Sequence, residues 1–155
     1  MKFKRNYVLI PLSVIVVAVL GSIFTSAGMD WYRTLILPQG TPDGSIIGMV
    51  WTVIYFCSIV SLLLLWNRTK HDHKFVAIMG LFLINGMLNA GRCWVFFVQH
   101  RLGLGAWLMV VIFLLTVAKI ILIWPKHKGS ALLLVIYPLW VALAGSFAFR
   151  IWMLN

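Results

Sequence analysis

Residues 44–66 read GSIIGMVWTVIYFCSIVSLLLLW, twenty-three residues without a charge. As a helix rising about 1.5 Å per residue, this run is roughly 35 Å long, enough to cross a hydrocarbon core about 30 Å thick. In lipid every backbone N–H and C=O must be satisfied within the segment, so an apolar run this long means a helix. Four more runs flank it. Residues 7–27 carry no charge, 75–99 are interrupted only by Arg92, 103–124 contain only Lys119, and 129–155 contain only Arg150. The expected fold is therefore all-α, a single domain over 1–155 with transmembrane helices at about 7–27, 44–66, 75–99, 103–124 and 130–153. The ten-residue alternation of an outer-membrane barrel is absent.

Composition agrees. The chain has 155 residues, 63% of them hydrophobic and 10% charged. A soluble domain of this size could not hide so much apolar surface from water. The net charge of +10 does not point to nucleic acid, because the basic residues lie between apolar runs rather than on one solvated face. Cys57 and Cys93 lack CxxC spacing and read as small buried hydrophobes. His71, His73, His100 and His127 fall in loops or at span ends with no metal partner at convincing spacing. There is no Glu, no Ser/His/Asp set and no phosphate-binding glycine loop, so neither acid–base catalysis nor a metal or other cofactor is expected.

The N-terminus needs a separate reading. Lys2, Lys4 and Arg5 precede an apolar stretch that ends in Thr25-Ser26-Ala27, which looks like a signal peptide with its cleavage site. The stretch is longer than a usual signal core of roughly 7–15 residues, so it is expected to be a retained helix. With five spans, the N-terminus and the segments 67–74 and 125–128 share one side. That side carries Lys2, Lys4, Arg5, Arg68, Lys70, Lys74, Lys126 and Lys128, against Arg33 and Arg101 in loops on the other. This bias predicts a cytoplasmic N-terminus and an outside C-terminus, in a bacterial plasma membrane or alternatively a mitochondrial outer membrane. Trp66, Trp107, Trp124 and Trp152 near span ends suit an aromatic belt.

The first connection, GMDWYRTLILPQGTPD at 28–43, is too long for a plain linker. Pro38, Pro42 and Gly40 stiffen and turn it, which predicts a cap over the outer mouth of the bundle. Under that cap, rise per residue puts Trp51 about 10 Å, Asn89 roughly 13 Å and Arg92 roughly 9 Å below the outer end of their helices, and Trp140 about 20 Å. Asn85 and Asn89 are i, i+4 and must face inward, because an unpaired amide in lipid is costly. Trp51 and Tyr55 form an aromatic stripe at the same spacing. Two readings fit: a ligand cavity with aromatic walls and a few amides, or helix-to-helix glue. Lys119 and Arg150, near span ends, are expected to snorkel to water. Arg92 is deeper and either snorkels or meets an acidic ligand, since the three Asp are all in loops. Gly86 and Ala90 form a small-xxx-small pair suited to packing against a second copy. The cytoplasmic half shows no polar path in the sequence.

The stretch Trp31-Tyr32-x2-Leu35-x2-Pro38-x3-Pro42, followed by Val50-Trp51-Thr52-x2-Tyr55, resembles the TspO/translocator-protein family, also called tryptophan-rich sensory proteins or peripheral benzodiazepine receptors. Gly21-Ser22, Asn85-x3-Asn89, Phe96-Phe97, Tyr137-x2-Trp140 and Leu154-Asn155 are similar to it as well. The chain departs from the family pattern around the expected pocket. A double proline is Pro42-Asp43 here, a tryptophan three residues after the asparagine is Arg92, Pro-Tyr is Ile136-Tyr137-Pro138, and an asparagine is Ala148.

The resemblance implies a membrane receptor or sensor, often homodimeric, that binds porphyrins such as protoporphyrin IX or haem under the first loop. The implied ligand-binding residues are Tyr32, Pro42, Trp51, Asn85, Asn89 and Trp140, with Tyr55 stacking beside them and Arg92 meeting a propionate. Three functions compete: binding with sensing, sequestration or transport; light-dependent porphyrin degradation carried by Trp51 and Trp140; and a ligand-free structural subunit.

Overall fold

The computed structural model describes residues 5–155. Helix α1 spans Asn6–Ala27 and is followed by a single helical turn, α2, at Met29–Tyr32. Then come α3 at Gly44–Arg68, α4 at His73–Cys93, α5 at Leu102–Ile123, α6 at Lys128–Leu133 and α7 at Ile136–Leu154. A π-helical turn at Trp94–Val98 continues α4. Five segments are long and apolar enough to span a membrane: Asn6–Ala27, Gly44–Arg68, His73–Val98, Leu102–Ile123 and Lys128–Leu154. These are the five expected spans, with ends shifted by a few residues.

Two spans are less regular than the apolar runs suggest. The fifth breaks between α6 and α7, where Val135 and Tyr137 make i→i−3 bonds to the carbonyls of Leu132 and Leu134. Pro138 explains the break: it has no N–H to give the Leu134 carbonyl, and its ring would collide with that carbonyl in a straight helix. The disturbed backbone is partly repaired by Ser61 of α3, whose hydroxyl donates to the Ser130 carbonyl at 2.9 Å. The third span widens at Trp94–Val98, where the Gln99 N–H reaches back five residues to the Trp94 carbonyl. Such a turn re-aims the side chains that follow it.

Helix α5 packs along α7 and α4, α4 along α1, α1 on α3, and α3 on α6; α3 and α7 barely touch. The core forms three layers. Leu65, Phe75, Ile78, Ile123, Ala131 and Leu134 fill the basic end; Ile54, Met109, Ile112, Tyr137 and Val141 fill the middle; Phe96, Ala106, Ala148 and Ile151 fill the cap-bearing, or outer, end.

The two ends are tied differently. At the basic end the Asn6 amide donates to Asn67, and Asp72 caps α4 by accepting from the Phe75 N–H while pairing with Lys126 at 2.8 Å. Arg5, Arg68, Lys70, Lys74, Lys126 and Lys128 share this end. Lys2 and Lys4, counted with them above, lie outside the described residues. Trp66, Trp107, Trp124 and Trp152 are all exposed, as an aromatic belt requires.

Two expectations are corrected here. Lys119 does not snorkel: it is 1% exposed, because it continues the inward stripe of α5 formed by Met109, Ile112, Thr116 and Ile123. Its ammonium group faces the rings of Phe82 at 4.5 Å and Tyr137 at 5.3 Å. Gly86 and Ala90 do not form a free outer face. A side chain at Gly86 would meet Val17 of α1 at 3.1 Å, and Ala90 is buried, so the small pair serves the α1–α4 contact within one bundle. Arg150 is exposed, consistent with an outward side chain.

Candidate functional site

The cap builds the site from above. Its helical turn α2 starts directly after α1, and the junction residue is Gly28, where a Cβ would lie 2.0 Å from the Phe97 carbonyl oxygen. Only glycine lets the chain pass this close to the π-helical turn. Trp31 stacks on His100 with ring centroids 3.9 Å apart and meets the edge of Phe96, while Tyr32 leans on Phe96 and Phe97. Burial pushes the Tyr32 hydroxyl's pKa up, so it stays a neutral donor at physiological pH. His100 holds a left-handed backbone (φ 57°), a conformation uncommon outside glycine. Further along, Pro38–Thr41 close a turn with Gly40 at φ 80°. The cap's middle is held by Asn155, the residue that follows α7. The Asn155 side chain accepts from the Ile36 N–H at 3.0 Å and donates to the Ile36 carbonyl at 3.1 Å, a two-bond clamp that apolar patterning did not reveal.

Beneath the cap, where α3 and α7 stand apart, lies a cavity of about 660 Å³. Tyr32 and Pro42 line it from the cap, Trp51 and Tyr55 from α3, Asn89 and Arg92 from α4, and Trp140 from α7. Gly21 and Ser22 of α1 complete the wall, and Gly21 keeps α1 close to Tyr55 and Cys93. Trp51 stacks with Tyr55 at 5.7 Å to make one aromatic wall, and Tyr137 meets Trp51 edge-on at 5.8 Å from behind it. The Asn89 amide donates to the Tyr137 hydroxyl at 2.8 Å and forms part of the floor.

Seven of the eight residues expected at the pocket thus meet around one space. Asn85 does not. Its amide donates to Thr116 at 3.2 Å and lies 3.4 Å from the Ile112 carbonyl, so it joins α4 to α5 one turn below the cavity. For Asn85 the helix-glue reading is the correct one, because Thr116 offers a partner on the facing helix. The polar interior also extends further than expected: Ser58, Ser61, Thr116, Lys119 and Ser130 are all buried in the half that looked apolar. Their hydroxyls are mostly spent on nearby carbonyls, as when Ser58 bonds Ile54 and Thr116 bonds Ile112.

The charged residues lining the cavity are Arg33, Arg92 and Asp43. Arg92 gives one guanidinium N–H to the Cys93 sulfur at 3.2 Å. Among the described residues, the buried side-chain nitrogens or oxygens without a partner are Arg92 Nε and Trp140 Nε1, and both residues line this cavity. The described ion pairs, Arg33–Asp30 in the cap and Lys126–Asp72 at the basic end, do not include Arg92, so no carboxylate is paired with it. Among the described residues no group of His, Cys, Asp or Glu is placed to hold a metal ion.

The TspO/MBR family model matches residues 8–153, nearly the whole chain. The chain belongs to the TspO/MBR family. It is 28% identical over 137 residues to protein CrtK of Rhodobacter capsulatus, covering 87% of this chain and 83% of that one. It is 30% identical over 125 residues to tryptophan-rich protein TspO of Bacillus cereus, covering 81% and 80%. It is 27% identical over 150 residues to tryptophan-rich protein TspO of Archaeoglobus fulgidus, covering 93% of each. It is therefore an integral membrane protein of the TspO sensor or receptor type. Within that family framework, three of the four departures noted in the sequence, Arg92, Asp43 and Ala148, line the cavity; Ile136-Tyr137-Pro138 does not.

Proposed function

We propose that this protein binds porphyrins, protoporphyrin IX or haem, in the outer cavity and acts as a receptor that senses or sequesters them. The observation that carries this reading is that Arg92 and Trp140, each with a buried donor (Nε and Nε1) that has no partner, both line one aromatic-walled space. A buried donor without a partner costs stability unless a ligand supplies the acceptor. A porphyrin is flat and apolar with carboxylates on one edge. Trp51, Tyr55 and Trp140 offer faces to the ring, Asn89 and Tyr32 offer polar contacts, and the Arg92 fork suits a propionate. A volume of about 660 Å³ is within the roughly 300–1,000 Å³ typical of small-molecule pockets.

The test is quenching of tryptophan fluorescence by protoporphyrin IX in the dark. The expected result is saturable quenching, weakened at least about tenfold by Trp51→Ala or Asn89→Ala. Quenching that never saturates, or ignores both substitutions, would reject the reading and leave a ligand-free structural subunit. Degradation in light is a second reading, favoured by two indoles, Trp51 and Trp140, lining the same space. Under illumination, Trp51→Phe with Trp140→Phe would abolish spectral loss while binding largely survives. Transport ranks below sequestration: the polar residues of the basic half are mostly paired with one another, and the Asn89–Tyr137 bond lies at the cavity floor.

The proposed setting is a bacterial plasma membrane with the N-terminus cytoplasmic; a mitochondrial outer membrane is the alternative. The excess of Arg and Lys at the Asp72–Lys126 end supports this orientation. A reporter fused after Asn155 should be active only outside the cytoplasm. The protein is further proposed to work as a homodimer through a face other than Gly86 and Ala90; crosslinking in native membranes that yields only monomer would refute it.

A further inference from the structure

A second cavity of about 200 Å³ lies in the basic half of the bundle. Lys119 forms one of its walls, with Ser58, Asn85 and Tyr137 around it. Val14 and Val17 of α1 and Leu83 and Met87 of α4 also line it, and Leu83 and Met87 are 65% and 64% exposed on the lipid-facing surface. A pocket that opens sideways into hydrocarbon admits molecules dissolved in the bilayer. At its inner end is a lysine that is 1% exposed, and the partners described for its ammonium group are two aromatic faces, Phe82 and Tyr137. Aromatic faces offset only part of the cost of burying a cation. No acidic residue of the chain lies within a span: there is no Glu, and Asp30, Asp43 and Asp72 are in loops or caps. An anion that pairs with Lys119 would therefore have to come from outside the chain.

We propose that the inner cavity binds a single-chain fatty acid, its carboxylate on Lys119 and its alkyl chain leaving between α1 and α4 past Leu83 and Met87. The chemistry fits each part of the space. A carboxylate takes a charge-assisted hydrogen bond from the ammonium group. The Tyr137 hydroxyl, which accepts from Asn89, keeps its own proton to donate. The first methylenes lie on Val14, Val17 and Phe82, and the remainder of the chain stays among lipid tails, so a small cavity suffices. A double-chain phospholipid cannot bring its headgroup to this point without burying a phosphate and its substituent. This site is separate from the outer cavity, although Tyr55 and Asn89 border both.

The probe is cis-parinaric acid, a fluorescent fatty acid, titrated into the full-length protein in lipid nanodiscs, with its methyl ester as the control. Saturable binding of the acid is expected, weakened at least about tenfold for the ester and for Lys119→Met. Leu83→Trp, a change on the exposed lipid-facing surface, keeps Lys119 and the folded bundle; filling the mouth should weaken acid binding several-fold. Equal binding of acid and ester, or equal binding to the parent protein and Lys119→Met, would overturn the proposal. Displacement of the acid by chloride at constant ionic strength would also overturn it, assigning the site to an inorganic anion. Protoporphyrin binding to the outer cavity is read separately, so the two proposals fail independently.

Discussion

The outer and basic halves of this bundle are built from the same five apolar spans and differ in what their polar groups do. In the basic half, Asn85 is spent on Thr116, Ser61 on the Ser130 carbonyl, and Thr116 on the Ile112 carbonyl. In the outer half the helices are held apart under a clamped cap, and Arg92 Nε and Trp140 Nε1 have no partner. The same residue type shows the contrast, since Asn85 and Asn89 are one helical turn apart on α4. The first closes an α4–α5 contact; the second borders the outer cavity with its amide on Tyr137. Polar residues in lipid thus serve as helix glue, as Asn85 does, or line a site, as Asn89 and Arg92 do. Lys119 is the exception in the basic half.

The comparison breaks first at the cap if it breaks anywhere. Gly28→Ala places a Cβ against the Phe97 backbone, which cannot give way as a flexible side chain would. It should cost about 3 kcal/mol, read as a lowered thermal midpoint in detergent, together with loss of outer-cavity binding. A midpoint within error of the parent would mean the cap does not pack as described. Next is Thr116→Val, which removes the Asn85 partner and should cost about 1 kcal/mol while leaving porphyrin affinity unchanged. A matching drop in affinity would show that the halves are not separate.

How far these differences were visible in the sequence depends on length scale. Five uninterrupted apolar runs reveal the spans because lipid leaves the backbone no other solution. The cap was visible as a long proline-bearing loop, but α2 is a single turn and too short to signal itself. The break in the fifth span had a signal in Pro138, four residues after Leu134. The π-helical turn at Trp94–Val98 had none. Lys119 was misread because Leu and Ile surround it on every face of α5, which hides the inward stripe in average hydropathy. The spacing of Met109, Ile112, Thr116 and Ile123 marks that stripe once Thr116 is taken as an inward residue. The Asn155 clamp was beyond reach, because it joins positions 119 residues apart.

That clamp supplies a smaller prediction. Asn155→Ala removes two exposed hydrogen bonds to Ile36, so stability should fall by less than about 1 kcal/mol. Porphyrin dissociation should become several-fold faster, as expected if the cap is a lid, and stopped-flow release would read it. An unchanged release rate would mean the cap does not gate the cavity. The smallest effect is at the opposite end. The Lys126 ammonium, and next the Phe75 N–H, hold the Asp72 carboxyl below its ordinary pKa. A depressed folded pKa contributes stability that is present above the ordinary carboxylate range, near pH 4, and is lost as pH falls through the lowered value. Asp72→Asn should remove this small acid-limb slope in thermal midpoint and leave the outer cavity untouched. A slope that persists would assign it to another carboxylate.

The central claim is that the outer cavity recognises a flat ligand through a carboxylate on Arg92. The most direct measurement is the dark affinity of protoporphyrin IX and of its dimethyl ester for the parent protein and for Arg92→Met. The account predicts that the parent prefers the free acid by at least about tenfold and that Arg92→Met erases the preference while still binding the ester. Equal affinity of the parent for acid and ester, or a preference that survives in Arg92→Met, would contradict it.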